Sequence, residues 1–142
     1  MIKLLPGVES AASALQAERI RLEVISQNIA NANTTKTVDG TPYQRQVVKF
    51  ETLLQDKLGA NSETVPQLLR VAKITKDTKP PEMVYQPGHP DADKNGMVAY
   101  PNVKIHEEMA DLIASSRTFE ANLAVIKNAR ALTMQTLSIG RR

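Results

Sequence analysis

The chain offers few residues that could do chemistry, and the most motif-like run is Asp91-Ala92-Asp93-Lys94-Asn95-Gly96. It matches the first half of a calcium-binding loop, in which oxygen ligands alternate and a glycine permits a sharp turn. The second half fails. Its last ligand position is Asn102, where a bidentate glutamate is required, and Pro87-Gly88-His89-Pro90 cannot form the incoming helix. An Asx or Asn-Gly turn is the expected reading. The two histidines, His89 and His106, stand in no H-x-x-x-H or His-Asp-Ser arrangement, so neither a metal nor an activated nucleophile is indicated. His89 reads as a turn residue and His106 as a solvated side chain. Cysteine is absent, which removes thiolate nucleophiles, disulfides and cysteine-ligated zinc. The six glycines are scattered and form no phosphate loop. Glu107, Glu108 and Asp111 do cluster, but at the start of a helix, where carboxylates complement the positive end of the dipole. Arg141 and Arg142 suit the other end equally. No catalytic, metal or cofactor-binding residue is expected, and no cofactor.

What carries information instead is the spacing of apolar residues. Between Asn102 and Arg142 there is no proline, and no glycine before Gly140, so nothing breaks a helix. Ile105, Leu112, Phe119 and Ile126 recur seven apart. A second row holds Met109, Leu123 and Leu137, with Ser116 and Arg130 at the intervening places. This is a helical seam. From Asn102 to Ile139 it predicts a rod about 55 Å long, which needs an equally long partner. Val125, Leu132 and Ile139 form a further row on another face.

The partner is the other end of the chain. From about Val8 to Ala32, Val8, Leu15, Leu22 and Ile29 lie seven apart beside Ala11, Ile25 and Ala32, and only Glu18 interrupts the two rows. That pattern suits a two-stranded coiled-coil face or an ordinary bundle helix. Asn31 to Thr37 and Asp39-Gly40-Thr41-Pro42 should end it. Between residues 36 and 101 fall all but one of the eight prolines and four of the six glycines. Short strands are expected at Arg45 to Thr52, Leu68 to Thr75 and Glu82 to Tyr85. Glu51 to Leu58 is alternatively a short helix, and Gly59 to Thr64 an exposed loop. Three segments result: a helix over 1–35, a β-rich insert over 36–101 and a helix over 102–142.

Composition bounds what this architecture can support. Of 142 residues none is tryptophan, two are phenylalanine and three tyrosine, so any core is aliphatic and thin. Two helices pairing only with each other would be marginal, since burial returns roughly 1.5 to 3 kcal/mol per large apolar side chain while backbone ordering costs roughly 1 to 2 kcal/mol per residue. They are expected to fray in an isolated subunit and to order when subunits bundle. The net charge is +3, spread so that no segment forms a basic patch, and Arg19 and Arg21 alternate with Glu18 and Glu23. Nucleic acid is therefore not an expected partner. The N-terminal Met1-Ile2-Lys3-Leu4-Leu5-Pro6-Gly7 has too short an apolar patch for a secretory signal or a membrane span. On that evidence alone the chain would stay in the cytoplasm, and a soluble coiled-coil adaptor or regulator is the competing reading.

Asn28-Ile29-Ala30-Asn31-Ala32-Asn33-Thr34 resembles the signature of the axial proteins of the bacterial flagellum, the rod, hook and hook-junction subunits. The run from Glu108 to Asn122 resembles the matching signature at their other end. Pro42-Tyr43, Val84 to Asp93 and Tyr100-Pro101-Asn102-Val103 are similar to the proximal-rod branch of that family. Phe119 stands where tyrosine is common, and Met97 where an aromatic is usual. The resemblance implies a mainly α fold with a small β-rich insert, whose long terminal helices form an antiparallel coiled-coil-like hairpin packed into a helical tube. It implies a structural subunit of the periplasmic drive shaft, exported unfolded by the flagellar export apparatus without a cleaved signal. Its partners would be other copies, other rod subunits and, around the insert, the surrounding ring, with no membrane insertion. The expected assembly interface comprises Val8, Leu15, Leu22, Ile25, Asn28, Ile29 and Asn31 from the first helix. From the second it takes Met109, Leu112, Phe119, Leu123, Ile126, Leu132 and Leu137. Leu15, Leu22, Ile25 and Ile29 are expected to meet Leu112, Phe119, Leu123 and Ile126 within or between subunits.

Overall fold

The computed structural model describes residues 6–54 and 67–140. The order of elements is α1 (Pro6–Ala30), β1 (Gln46–Leu54), β2 (Gln67–Lys76), β3 (Glu82–Tyr85), β4 (Met97–Tyr100) and α2 (Ile105–Ile139). It is mainly helical with a β insert, as expected. Helix α1 opens on Pro6, where a missing amide hydrogen costs nothing. It ends two residues earlier than the apolar pattern suggests. Asn31 Nδ2 donates to Gln27 O and Thr34 Oγ1 donates to Asn31 Oδ1, so the asparagine side chain closes the last turn. Helix α2 starts at Ile105 and not at Asn102. Asn102 Nδ2 donates to Pro80 O, and Val103 N to Pro101 O, which holds those residues in the connecting loop.

Strands β1 and β2 pair antiparallel from Gln46↔Lys76 to Leu54↔Gln67, with a bulge that leaves Ala72 unmatched between Lys73 and Val71. Glu51–Leu54 belong to this strand, not to a helix; the rest of the alternative helix and the Gly59 to Thr64 loop lie outside the described residues. Strand β4, which the sequence reading lacks, pairs with β3 from Glu82↔Tyr100 to Tyr85↔Met97. Between them Asp93 Oδ1 accepts from Asn95 N at 2.8 Å and Met97 N at 2.9 Å. That is the Asx turn in place of a calcium loop. Gly96 completes it at φ 75°.

Helix α1 lies between two partners, α2 on one side and the β1–β2 hairpin on the other. The contacts Glu18 with Ser115 and Asn28 with Glu108 run in opposite chain directions, so the helices are antiparallel. The β3–β4 hairpin is tied on through loops, Thr35 Oγ1 donating to Asp91 Oδ2 at 2.8 Å. The buried apolar residues among those described are Ala11, Ala17, Val24, Ile25, Ala32 and Val98. Half are alanine, which lets backbones approach but buries little area. Neither helix is long and apolar enough to cross a membrane.

Candidate assembly interface

Asn28 is the point where the elements meet. It is 1% exposed, and its amide is used in full. Nδ2 donates to Gln46 O at 2.9 Å and to Glu108 Oε2 at 3.0 Å. Oδ1 accepts from Gln46 N and from Tyr43 Oη, both at 2.9 Å. One side chain near the end of α1 thus holds the start of β1 and the start of α2. Glu108 is 0% exposed. Its other oxygen, Oε1, receives Arg45 Nε at 2.6 Å and Nη2 at 2.5 Å. Arg45 Nη1 also lies 3.8 Å from Asp77 Oδ2, and Asp77 N donates to Arg45 O. The buried charge is therefore paired and hydrogen-bonded, the condition for keeping a carboxylate out of water. Tyr43 titrates above the usual tyrosine range, first because burial disfavours the phenolate and second because of the negative Glu108 nearby.

This overturns one part of the sequence reading. Glu107 and Asp111 fit the helix-dipole account, but Glu108 does not stand at the helix start for that reason alone: it is the buried partner of Arg45, 63 residues away. The sequence carried one usable signal, since Glu108 and Ser115 share a heptad row of α2 and Glu18 interrupts the α1 seam. The structure joins the last two, Ser115 Oγ donating to Glu18 Oε2. His106 is exposed. His89 Nδ1 accepts from Asp91 N at 3.1 Å within its turn.

The remaining expected interface residues fall into two groups. Ile25 is buried, and Val8, Leu15, Leu22, Ile29, Asn31, Leu112, Phe119 and Ile126 are half-buried. Met109, Leu123, Leu132 and Leu137 face outward, at 50%, 37%, 63% and 65% exposure. The row of α2 that faces α1 is instead Glu108, Ser115, Asn122 and Ala129, beside Leu112, Phe119 and Ile126. Ile113, Val125, Met134 and Ile139 are exposed as well. A cleft of about 290 Å³ opens between α1, β1 and the start of α2, with Val24, Ile25, Val48 and Phe50 in its lining beside the polar cluster.

The class of protein that fits an antiparallel pair of terminal helices with an outward apolar helix face is an assembling structural subunit, and the relatives point the same way. Residues 9–36 match the family model described as flagella basal body rod protein, and residues 94–139 match that described as flagellar basal body rod FlgEFG protein C-terminal. The two matched segments contain Asn28 and Glu108 respectively, so the signatures at the chain's ends are in hydrogen-bond contact. The flagellar basal-body rod protein FlgC of Borreliella burgdorferi is 38% identical over 96% of this chain and 97% of its own length. Those of Bacillus subtilis and Salmonella typhimurium are 37% and 34% identical over 92% and 96% of this chain, and 94% and 98% of their own. The chain belongs to the FlgC family of flagellar basal-body rod proteins. It is a structural subunit of the proximal rod and not an enzyme. None of these likenesses supports a cytoplasmic adaptor.

Proposed function

We propose that the chain polymerises with other rod subunits through its paired terminal helices, which form a coiled-coil-like hairpin packed into a helical tube that transmits torque. Residues 1–35 and 102–142 make the axial core, and 36–101 stand outside it as the insert. Contacts of this kind are heterologous and propagate along the tube. Val8, Leu15, Leu22, Ile25 and Ile29 with Leu112, Phe119 and Ile126 hold the hairpin together. Met109, Leu123, Leu132 and Leu137 meet neighbouring subunits. Asn28 and Asn31 act from inside the chain, shaping the end of α1. The shaft is periplasmic, and the subunit reaches it through the flagellar export apparatus, unfolded. Its insert faces adjacent subunits or the surrounding ring.

The observation that carries this reading is the outward apolar face of α2, which has no partner within the described residues. Leu137→Asp and Leu123→Asp should leave the subunit's own helix content unchanged and abolish rod assembly and swimming, while export of the variant continues. Leu22→Asp and Phe119→Asp should also abolish swimming, through the hairpin. Normal swimming by Leu137→Asp and Leu123→Asp together would sink the proposal.

A further inference from the structure

Hydrophobicity does not decide which face of α2 looks outward. Toward α1 the helix presents Leu112, Phe119 and Ile126 beside the mostly polar row Glu108, Ser115, Asn122 and Ala129. One residue along, Met109 and Leu123 share a row with Ser116 and Arg130, and both of these large apolar side chains are left exposed. Exchanging the two rows while keeping Leu112, Phe119 and Ile126 in the seam takes a turn of α2 of only about 50° about its own axis. Burial alone favours the turned arrangement. Two polar contacts oppose it: Ser115 with Glu18, both buried, and Glu108 with Asn28, both buried, the latter anchored by Arg45. Turning the helix would carry Glu108 away from Asn28 and Arg45 and put Met109 in its place; Ser116, which follows Ser115, would come toward Glu18, so the Glu108 contacts weigh most.

We infer that these two polar contacts select the rotation of α2, holding Glu108, Ser115 and Asn122 inward so that Met109 and Leu123 stay outward for a neighbouring subunit. Polar residues within an apolar seam are a known means of choosing one register among several. Here they choose a face. The outward row's purpose rests on the assembly proposed above, but the selection itself is a property of the single chain and can be tested apart from it.

The chain has no cysteine, so single cysteines report cleanly. Met109→Cys and Leu123→Cys read the outward row, and Asn122→Cys and Ala129→Cys the inward one. In the purified full chain the outward pair should react with a maleimide faster than the inward pair, on the order of tenfold. The ratio should fall toward unity or invert in Glu18→Leu with Ser115→Leu, and further when Glu108→Leu and Arg45→Met are added. Glu18→Gln, which keeps an acceptor for Ser115, should preserve it. Circular dichroism reports whether each variant is still helical. Equal reactivity at all four positions in the native chain overturns the inference, as does an unchanged ratio in a helical quadruple variant. Loss of helix in both leucine variants overturns it too, because the polar contacts would then be needed for folding and not for facing. A changed ratio with normal swimming would uphold the selector and count against the outward row's role in assembly.

Discussion

Glu107 and Glu108 are adjacent and chemically identical, yet the first pairs with Lys104 at the surface at 3.1 Å and the second has no exposed area. The difference is made by Arg45, which arrives from the far side of the insert, and a pairing at that separation leaves no trace in local spacing. This is why the sequence marked the carboxylates but not the buried one. A buried pair resists removal of one partner more than loss of both. Arg45→Met should destabilise the subunit by about 3 kcal/mol, less if the partly exposed guanidinium shares its load with water. Glu108→Leu alone leaves Arg45 beside Asp77 and partly in water and costs less, and the double variant should recover much of the Arg45→Met loss. Strict additivity in urea denaturation would show the pair to be uncoupled. Tyr43 gives the pH dependence. Its pKa is raised in the folded chain by burial and then by Glu108, so its stabilising contribution is complete below the unfolded value of about 10. That contribution is lost as pH rises through the higher folded value, because the unfolded chain releases the proton first. Tyr43→Phe should therefore flatten the alkaline fall in melting temperature. It should also lower stability at neutral pH by about 1 kcal/mol, for the lost bond to Asn28. An alkaline limb identical in both proteins would assign the fall to another group.

At the level of elements, the helices were legible because breakers are missing over long runs and apolar residues keep a seven-residue spacing. Their ends were less so: Ala30 and Ile105 are set by side-chain bonds from Asn31 and by the loop held at Asn102, neither of which periodicity reports. Strand β4 escaped notice because Met97–Tyr100 is four residues long and follows directly on a turn, so its alternation has no length in which to declare itself. Of the two rows read from α2, Leu112, Phe119 and Ile126 are half-buried, whereas Met109, Leu123 and Leu137 are exposed and Glu108 and Ser115 are buried in their stead. Met109 and Leu123 are the more apolar choice, and burying a large apolar side chain is worth roughly 1.5 to 3 kcal/mol; stranding a buried carboxylate such as Glu108 costs more than that. The turn before β4 makes its own demand. Gly96 has φ 75°, and a Cβ there would stand 2.9 Å from Tyr85 Cε2 and 3.1 Å from Pro87 Cβ. Gly96→Ala should cost the β3–β4 hairpin about 1 to 2 kcal/mol from the left-handed backbone, and more if the Tyr85 ring cannot move aside. Faster amide exchange at Val84 and Val98, with α1 and α2 unaffected, would show the effect confined to that hairpin; exchange unchanged at both valines would refute it.

For the molecule as a whole, burial tells what the elements cannot do alone. Among the described residues the buried apolar side chains are few and half of them alanine, in keeping with the thin aliphatic core read from the scarcity of aromatics. The two helices are also unequal, 35 residues against 25, and the partly covered positions of α2 end at Thr133. Beyond it Met134, Leu137 and Ile139 are 61% to 76% exposed. A terminal stretch with few buried contacts opens locally at small cost, whereas a partner that binds only the helical form stabilises it by mass action. Amide exchange in the isolated subunit should then be slowest around Glu108 and Ser115 and approach unstructured rates from Met134 to Ile139. In intact basal bodies the same terminal amides should slow by on the order of a hundredfold or more. If they are already as protected in the free subunit as the first turns of α2, the helix is complete without its neighbours, and assembly has no folding left to complete there.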